Sequence, residues 1–521
     1  MPTAPAETVA PPRQPADAAA LAGPLGERWP VALFCVLLVV LSGYRLLLTQ
    51  SGQLFWPDEF RYVHALHVLE EIRQGNLVGS VAWLFTVPSA PDANMGARPA
   101  YVALSTIPAA VQGLANLIAG VGPEDPSFYR IAATANVFVT LGIAVVFFRL
   151  ALLLVHHRGL ALLSALVYGL LANSNLYVRH LFPYDLALLF LLGALLLVVG
   201  EQRDAAGLHR RAIGAGLLAG FGFTTYPGYD PFVVILATAV LCNPVGSWRH
   251  LIVMGASMAC VGLAWEGVAR LGGLSLIALT LRFFGTMTVE QGSFEETLVF
   301  LPRYLWDVEG LAGAALLALV AAFGVMAALG RYGRIELGII GGATAIYLVF
   351  GAAGVFLHRT VYYGRLVHMY LPFVVLAAVL ALSKMRHPNV RLATASAVAL
   401  ASVLAFVPVA ATELAATFPR DVVREIAAAE GAGGAPCTVM STAPNRLDQV
   451  TGGCETILEN AGHLYPIPPQ LAMAPPPGFA LERSWNHPLQ FRPYWYEGYS
   501  IEERATLGAH PLEIKLYRRV P

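Results

Sequence analysis

Charged residues are scarce in this sequence. Asp, Glu, Lys and Arg make up 13% of its 521 residues, and 57% of the residues are hydrophobic. Soluble domains carry about 25% charged residues, so this composition excludes an ordinary soluble protein and predicts a polytopic membrane protein. Basic and acidic residues balance at 33 each, so the chain lacks the net positive charge that is typical of nucleic-acid-binding proteins.

Cysteine is also rare, with five in the whole chain. Cys35, Cys242 and Cys260 lie inside apolar runs, where a cysteine packs as a small core residue. Cys437 and Cys454 lie in the polar C-terminal region and can pair only if that region is extracytoplasmic. Their spacing alone does not set the distance between their Cα atoms, so the pairing stays open.

The first long apolar run lacks a small-residue cleavage site near its end, which predicts a membrane anchor rather than a signal peptide. Residues 1–28 before it are rich in Ala and Pro and predict a disordered cytosolic tail. No short repeat is visible.

About eleven apolar runs long enough to span a bilayer lie within residues 29–411, the predicted transmembrane catalytic domain. A further apolar run at 99–120 decides the orientation, because basic residues favour cytoplasmic loops. The basic loops all face inside only if 99–120 does not cross. We therefore interpret 99–120 as re-entrant or interfacial, with the N-terminus cytoplasmic and residues 412–521 extracytoplasmic. A bacterial inner (plasma) membrane is the expected location.

This orientation puts three longer segments outside. Residues 50–128 form a first outer loop with interfacial helices, and residues 272–308 form a second outer loop that acts as a lid with one surface helix. Residues 412–521 predict a small α/β domain, in which the clean alternation of Leu512–Tyr517 is typical of a strand. The inner side keeps only short basic turns, so function is expected on the outer face.

Carboxylates occur where the chain leaves the membrane. Asp58 and Glu59 follow Pro57 at the start of a predicted surface helix, and Asp185 follows a proline at the mouth of a span. A carboxylate near the bilayer is partly desolvated, which raises its pKa and suits it to proton abstraction. Asp230 has a similar position, but we interpret it as a span end that faces water.

Arginines on the outer side run against the usual charge bias. Arg98, Arg359 and Arg365, with His358, suit a lipid phosphate, which guanidinium groups bind bidentately. Arginines at span ends can also snorkel toward water, and a phosphate site differs from that by converging on Asp58. Residues predicted to serve the acceptor or a lid are Arg282, Arg303 and Tyr363.

The sequence does not settle whether a metal is bound. His64, His67 and Glu71 share one helical face, but such sets are common on solvated faces and a fourth ligand is lacking. A divalent ion that bridges Asp58 or Glu59 to a lipid phosphate is compatible with the sequence.

Four motifs occur in a fixed order. Asp58-Glu59 opens a surface helix, Arg98-Pro99 starts an apolar helix, a Gly-to-Arg stretch enters a span at 122–130, and Pro183-Tyr184-Asp185 opens a later span. This order resembles the GT-C superfamily of polyprenyl-phosphate-sugar-dependent glycosyltransferases. It is most similar to the branch that holds protein O-mannosyltransferases and the lipid A aminoarabinose transferase. The match covers about residues 30–200, with looser agreement of hydropathy to 411.

The resemblance implies an outer active site that binds a lipid-phosphate sugar. It also implies a C-terminal extracytoplasmic domain. It also implies that the first-loop acid, Asp58 here, acts as general base or binds the acceptor, and that Asp185 is the second acidic position. Arg98 matches the basic position of a basic-Pro-Pro element. The second proline is Ala100 here, and Arg stands in place of the more usual Lys.

The expected function is transfer of a sugar from a polyprenyl-phosphate donor to a lipid, glycan or protein acceptor, with inversion. A lipid or sugar transporter is the alternative from another class, with Glu266 and Glu336 as acids within apolar runs. A glycan ligase or polymerase that uses lipid pyrophosphates is a third reading.

Overall fold

The computed structural model describes the following residues: 29–51, 60–86, 98–121, 129–200, 204–287, 298–357, 364–414, 456–461, 478–487, 496 and 512–520. They form sixteen α-helices: α1 Trp29–Ser51, α2 Phe60–Arg73, α3 Leu77–Phe85, α4 Pro99–Ala119, α5 Arg130–Val155, α6 Arg158–Gly169, α7 Ala172–Leu176, α8 Tyr184–Val199, α9 Ala205–Thr225, α10 Phe232–Cys242, α11 Trp248–Leu271, α12 Leu276–Met287, α13 Phe300–Ala328, α14 Arg334–Leu357, α15 Gly364–Ser383 and α16 Pro388–Val409.

Eight of these helices are long and apolar enough to cross a membrane: α1, α4, α5, α11, α13, α14, α15 and α16. Three shorter apolar helices, α6, α8 and α10, also lie in the bundle. Each predicted span coincides with a helix, one of them with α6 and α7 together. The chain is therefore a multi-pass membrane protein.

The core of the bundle is built around α15, whose side chains are almost all buried. It packs against α5, α6, α13 and α14. By contrast, few residues of α1, α11 and α16 are buried, as expected for helices at the lipid-facing rim.

Local sequence sets several helix ends. Pro99 occupies the first turn of α4, where its missing N–H has no partner in the helix anyway. Gly120 ends α4 at a φ of 64°, in the left-handed region that favours glycine. Asn76 and Asp204 cap α3 and α9 by accepting from backbone N–H groups three residues on.

Side-chain hydrogen bonds connect helix α4 to α5 and to the segment before α8. Near its start, Tyr101 donates to the carbonyl of Leu181, just before α8. Eleven residues on, about 16 Å along a helix, Gln112 accepts from the N–H of Ile131 in the first turn of α5. Asn136 of α5 donates to the carbonyl of His180. The re-entrant or interfacial placement of 99–120 stays a prediction.

Helix α13 is broken at Gly310, where φ is 55° and ψ is −127°. Its first third, residues 300–309, is helical and continues into the span across this kink. The predicted outer loop 272–308 contains α12 and the first third of α13. Its place on the outer side and its surface helix stay predictions.

The C-terminal region holds a three-stranded antiparallel sheet in the order β1-β3-β2. Its strands are β1 Thr456–Ala461, β2 Phe479–His487 and β3 Leu512–Arg519, and β3 is the strand predicted from its alternation. The domain boundaries at 28 and 411 stay predictions. Cys437 and Cys454 lie outside the described residues.

Candidate active site

The site is built around α7, a five-residue helix whose residues are all buried. The Glu309 carboxylate lies just before the Gly310 kink and accepts from the backbone N–H groups of Ala172, at 2.8 Å, and Asn173, at 3.1 Å. The first N–H groups of a helix lack partners within it, so the kink in α13 supplies the partner that α7 needs. This contact fixes Asn173 in the bundle core.

Asn173 connects three helices. Its Nδ2 donates to the Tyr304 hydroxyl of α13 at 2.6 Å and to the carbonyl of Gly364, the first residue of α15, at 3.3 Å. Its Oδ1 lies 2.7 Å from Nδ1 of His368, and Nε2 of His368 lies 3.0 Å from Oδ1 of Asp185 in the first turn of α8. We call Asn173, Asp185, Tyr304, Glu309 and His368 the buried polar network.

The donor and acceptor roles in this network show which ring nitrogen of His368 carries a proton. The Gly364 carbonyl can only accept, so Asn173 turns its Nδ2 toward it and its Oδ1 toward His368. Nδ1 of His368 therefore carries hydrogen. A second proton lies between Nε2 and Asp185, because two acceptors would otherwise face each other. The pair is a carboxylate with an imidazolium, or a carboxylic acid with a neutral imidazole, and has no net charge in either form.

The network lies beside a buried arginine. Arg45 of α1 is 4% exposed, donates from Nε to Oδ1 of Asn175 at 2.9 Å, and interacts electrostatically with Asp185. Asp185 is therefore held in place by His368 and influenced by a fixed positive charge.

Two of the predicted phosphate-binding arginines lie around the tyrosine next to Asp185. Nη1 of Arg365 lies 3.4 Å from the Tyr184 hydroxyl, and the ring of Tyr184 meets that of Tyr226 edge-on at 4.7 Å. The guanidinium of Arg98 lies over the ring of Tyr226, 5.0 Å from its centroid. Tyr229 donates to the carbonyl of Arg365 at 3.0 Å. We call these five residues the tyrosine–arginine cluster.

Arg98 is the most informative member of the cluster. It is 6% exposed, and its Nε and Nη1 have no hydrogen-bond partner among the residues that the structure describes. Leaving N–H groups of a buried guanidinium unpaired is costly. A position of this kind suits an anionic ligand that pairs with the guanidinium when bound.

The structure thus brings together Arg98, Asp185 and Arg365. Arg303 is exposed on α13, close enough to influence the phenol of Tyr496. Arg282 is exposed on α12, which packs against α11, so the structure places it elsewhere. The other predicted site residues lie outside the described part of the chain: Asp58, Glu59, His358, Arg359 and Tyr363.

Sequence reasoning missed most of the buried polar network. The overlooked signals were the polar Asn173-Ser174-Asn175 inside an apolar run and Glu309 at the start of another, since polar groups inside spans are usually functional. His368 was visible only as the end of a basic stretch. Its pairing with Asp185, 183 positions away, depends on how α8 and α15 pack.

The histidine-rich face of α2 is used structurally. His67 stacks on Trp83 of α3 with ring centroids 4.2 Å apart, and Glu71 accepts from Nδ2 of Asn76 at 2.6 Å. Among the described residues, no group of three or more His, Cys, Asp and Glu side chains could hold a metal ion. A divalent ion at Asp58 or Glu59 stays a prediction, since those residues lie outside that part of the chain.

One structure similar to this chain is ArnT from Cupriavidus metallidurans, a crystal structure bound to undecaprenyl phosphate. The TM-score is 0.53 at 14% sequence identity, and the likeness covers 81% of this chain and 84% of that chain. No protein family and no curated protein matches the sequence. From its helical architecture and this likeness, the chain has the GT-C fold that the order of its motifs predicted.

Proposed function

We propose that the protein is a membrane glycosyltransferase that transfers a sugar from a polyprenyl phosphate to an acceptor hydroxyl. The single observation that carries this proposal is the buried Arg98, whose Nε and Nη1 are unpaired among the described residues. The rings of Tyr226 and Tyr184 connect it to Arg365. A guanidinium in that state suits the phosphate of a lipid donor. The GT-C fold, and the undecaprenyl phosphate bound to ArnT, support the same choice of ligand.

The proposed chemistry is a single displacement. The acceptor oxygen forms a bond to the anomeric carbon as the bond from that carbon to the phosphate oxygen breaks, so the configuration inverts. The electron pair of the broken bond stays on the departing phosphate, and the acceptor proton passes to Asp58, with Glu59 beside it. Arg98 and Arg365, with Arg359 and His358, stabilise the negative charge on the phosphate.

Asp185 and His368 complete the proposed site. Their shared proton keeps the pair neutral, so Asp185 does not repel the donor phosphate as an isolated carboxylate would. The proposed location is the extracytoplasmic face of a bacterial inner membrane, with a cytoplasmic N-terminus. The acceptor is a lipid, glycan or protein.

A transporter requires ionisable residues within the membrane along a pathway. Glu266 accepts from the N–H of Ile277 and from Ser275, which holds it at the start of α12. Glu336 lies in the first turn of α14. These two acids therefore lie near helix ends, and the ionisable groups of the bundle core are the ones assigned here to the transferase site.

The test uses the full-length protein in proteoliposomes with a radiolabelled polyprenyl-phosphate sugar. Loss of label from the lipid, with release of polyprenyl phosphate, is the expected result. A parallel assay follows movement of the labelled lipid across the bilayer. Movement without cleavage would overturn the proposal in favour of a transporter, and a substrate cleaved only as a lipid pyrophosphate would favour a ligase.

Arg98→Gln is expected to weaken donor binding by about 10- to 100-fold. A hydrogen bond to a charged group contributes about 1.5–3 kcal/mol, and about 1.4 kcal/mol is a tenfold change. Thermal stability should stay equal or rise, because the variant removes a buried cation with unpaired N–H groups. Binding is measured by titrating the purified variant with the lipid donor.

Arg73→Gln is the matched control, because Arg73 is exposed on α2 and pairs with Glu70. It should bind the donor as the wild type does. Wild-type affinity in Arg98→Gln would remove Arg98 from the phosphate site.

A further inference from the structure

Tyr496 belongs to the C-terminal region, yet it is seated among the membrane helices. It is 1% exposed. Its ring meets Phe300 edge-on at 5.4 Å and Tyr304 at 5.0 Å, and its hydroxyl donates to Asp307. Three residues of the first third of α13 therefore surround one tyrosine side chain.

The backbone of Tyr496 makes a second connection. Its carbonyl accepts from the N–H of Gly364 at 2.8 Å. Gly364 opens α15, and an N–H at the start of a helix has no partner within that helix. The C-terminal region thus supplies the partner for the start of the helix that carries Arg365 and His368.

Two of the residues that Tyr496 contacts, Tyr304 and Gly364, also accept hydrogen bonds from Asn173. Nδ2 of Asn173 donates to the Tyr304 hydroxyl and to the Gly364 carbonyl. These two bonds decide that Oδ1 of Asn173 faces His368, which in turn holds Asp185. A shift of Tyr304 or Gly364 would therefore move the Asn173 side chain. Through the His368 imidazole it would then move the Asp185 carboxylate.

We propose that Tyr496 is a positioning residue for the transfer reaction. It clamps Tyr304 and Gly364 so that Asn173 keeps His368 and Asp185 in their reactive arrangement. The C-terminal region then helps to set the geometry of the active site. This inference rests on the proposed glycosyltransferase function.

The test compares Tyr496→Ala and Tyr496→Phe in the full-length protein, with kcat and the donor KM measured separately. Tyr496→Ala is expected to lower kcat by about 10- to 100-fold, since a misplacement near 1 Å at a reacting group can cost about 100-fold. The donor KM should stay near the wild-type value. Tyr496→Phe keeps the ring and the backbone contact, so it should recover most of the lost kcat.

Tyr332→Ala is the matched control. Tyr332 is also a buried tyrosine beside α13, but it stacks on Phe323 at the opposite end, at 4.4 Å. Its loss should leave kcat unchanged.

Three results are distinguishable. A wild-type protein that transfers no sugar defeats the proposed function itself. Transfer by the wild type together with wild-type kcat in Tyr496→Ala defeats the positioning role alone. A kcat loss that Tyr332→Ala reproduces, or that matches the fraction of unfolded Tyr496→Ala protein in a thermal-unfolding assay, also defeats it.

Discussion

Asp185→Asn is expected to slow sugar transfer by about 10²- to 10³-fold, the range typical of losing one preorganised polar group of an active site, while the protein stays folded. Nδ1 of His368 carries a proton toward Asn173, so Nε2 can accept a hydrogen bond from the new amide. The geometry of the pair is kept, and only the carboxylate and its shared proton are lost. Single-turnover transfer in proteoliposomes measures the effect.

The control for this variant is Asp204→Asn. Asp204 caps α9 on the exposed surface, and asparagine caps a helix about as well as aspartate, so transfer should not change. Donor binding by Asp185→Asn should also match the wild type. If Asp185→Asn transfers sugar at the wild-type rate, Asp185 has no part in the chemistry.

Asp230→Asn is expected to stabilise the protein at neutral pH and to have no effect in acid. Asp230 lies in the connection between α9 and α10, and its Oδ1 is buried without a partner among the described residues. Burial raises the pKa of this carboxyl from 3.8 to about 7. Asp230 as a whole is half-buried, and the sequence-based view that it is a span end facing water does not account for the buried Oδ1.

The sign follows from the raised pKa. Below about pH 4 both the folded and the unfolded protein hold the proton, so burial of the neutral acid carries no ionisation penalty. Between about pH 4 and 7 the unfolded chain has released the proton and the folded one keeps it, which lowers stability by about 1.4 kcal/mol per pH unit. Above pH 7 the penalty is constant, on the order of 4 kcal/mol.

The measurement is thermal unfolding of wild type and Asp230→Asn in the same detergent between pH 4 and pH 8.5. The difference in Tm should be near zero at pH 4, grow as the pH rises and level off above pH 7. A difference that does not vary with pH would mean that the carboxyl titrates normally in the folded protein.

The helices could be predicted from the sequence because their signal is local. Apolar runs of span length mark α1, α5, α11 and α16, since backbone groups in lipid must bond within their own segment. The placement of 99–120 as re-entrant or interfacial came from the charge of neighbouring loops, a short-range count, and it stays a prediction.

The site could be predicted only where a residue stands at the end of a span. Arg98, Asp185 and Arg365 do so, and packing brings them around Tyr184 and Tyr226. Asn173 and Glu309 escaped, because their roles come from partners more than 130 positions away. The break at Gly310 also escaped, since a glycine within an apolar run is common in membrane helices.

Every hydrogen-bonding group of the Asn173 side chain is in use, which limits the substitutions that this position can accept during evolution. Both amide hydrogens, the amide oxygen and the backbone N–H are engaged at once. Aspartate cannot donate to the Gly364 carbonyl, leucine cannot accept from His368, and glutamine is one methylene too long. A selection that randomises position 173 alone should return asparagine, and any other residue should survive only alongside changes at 304 or 368.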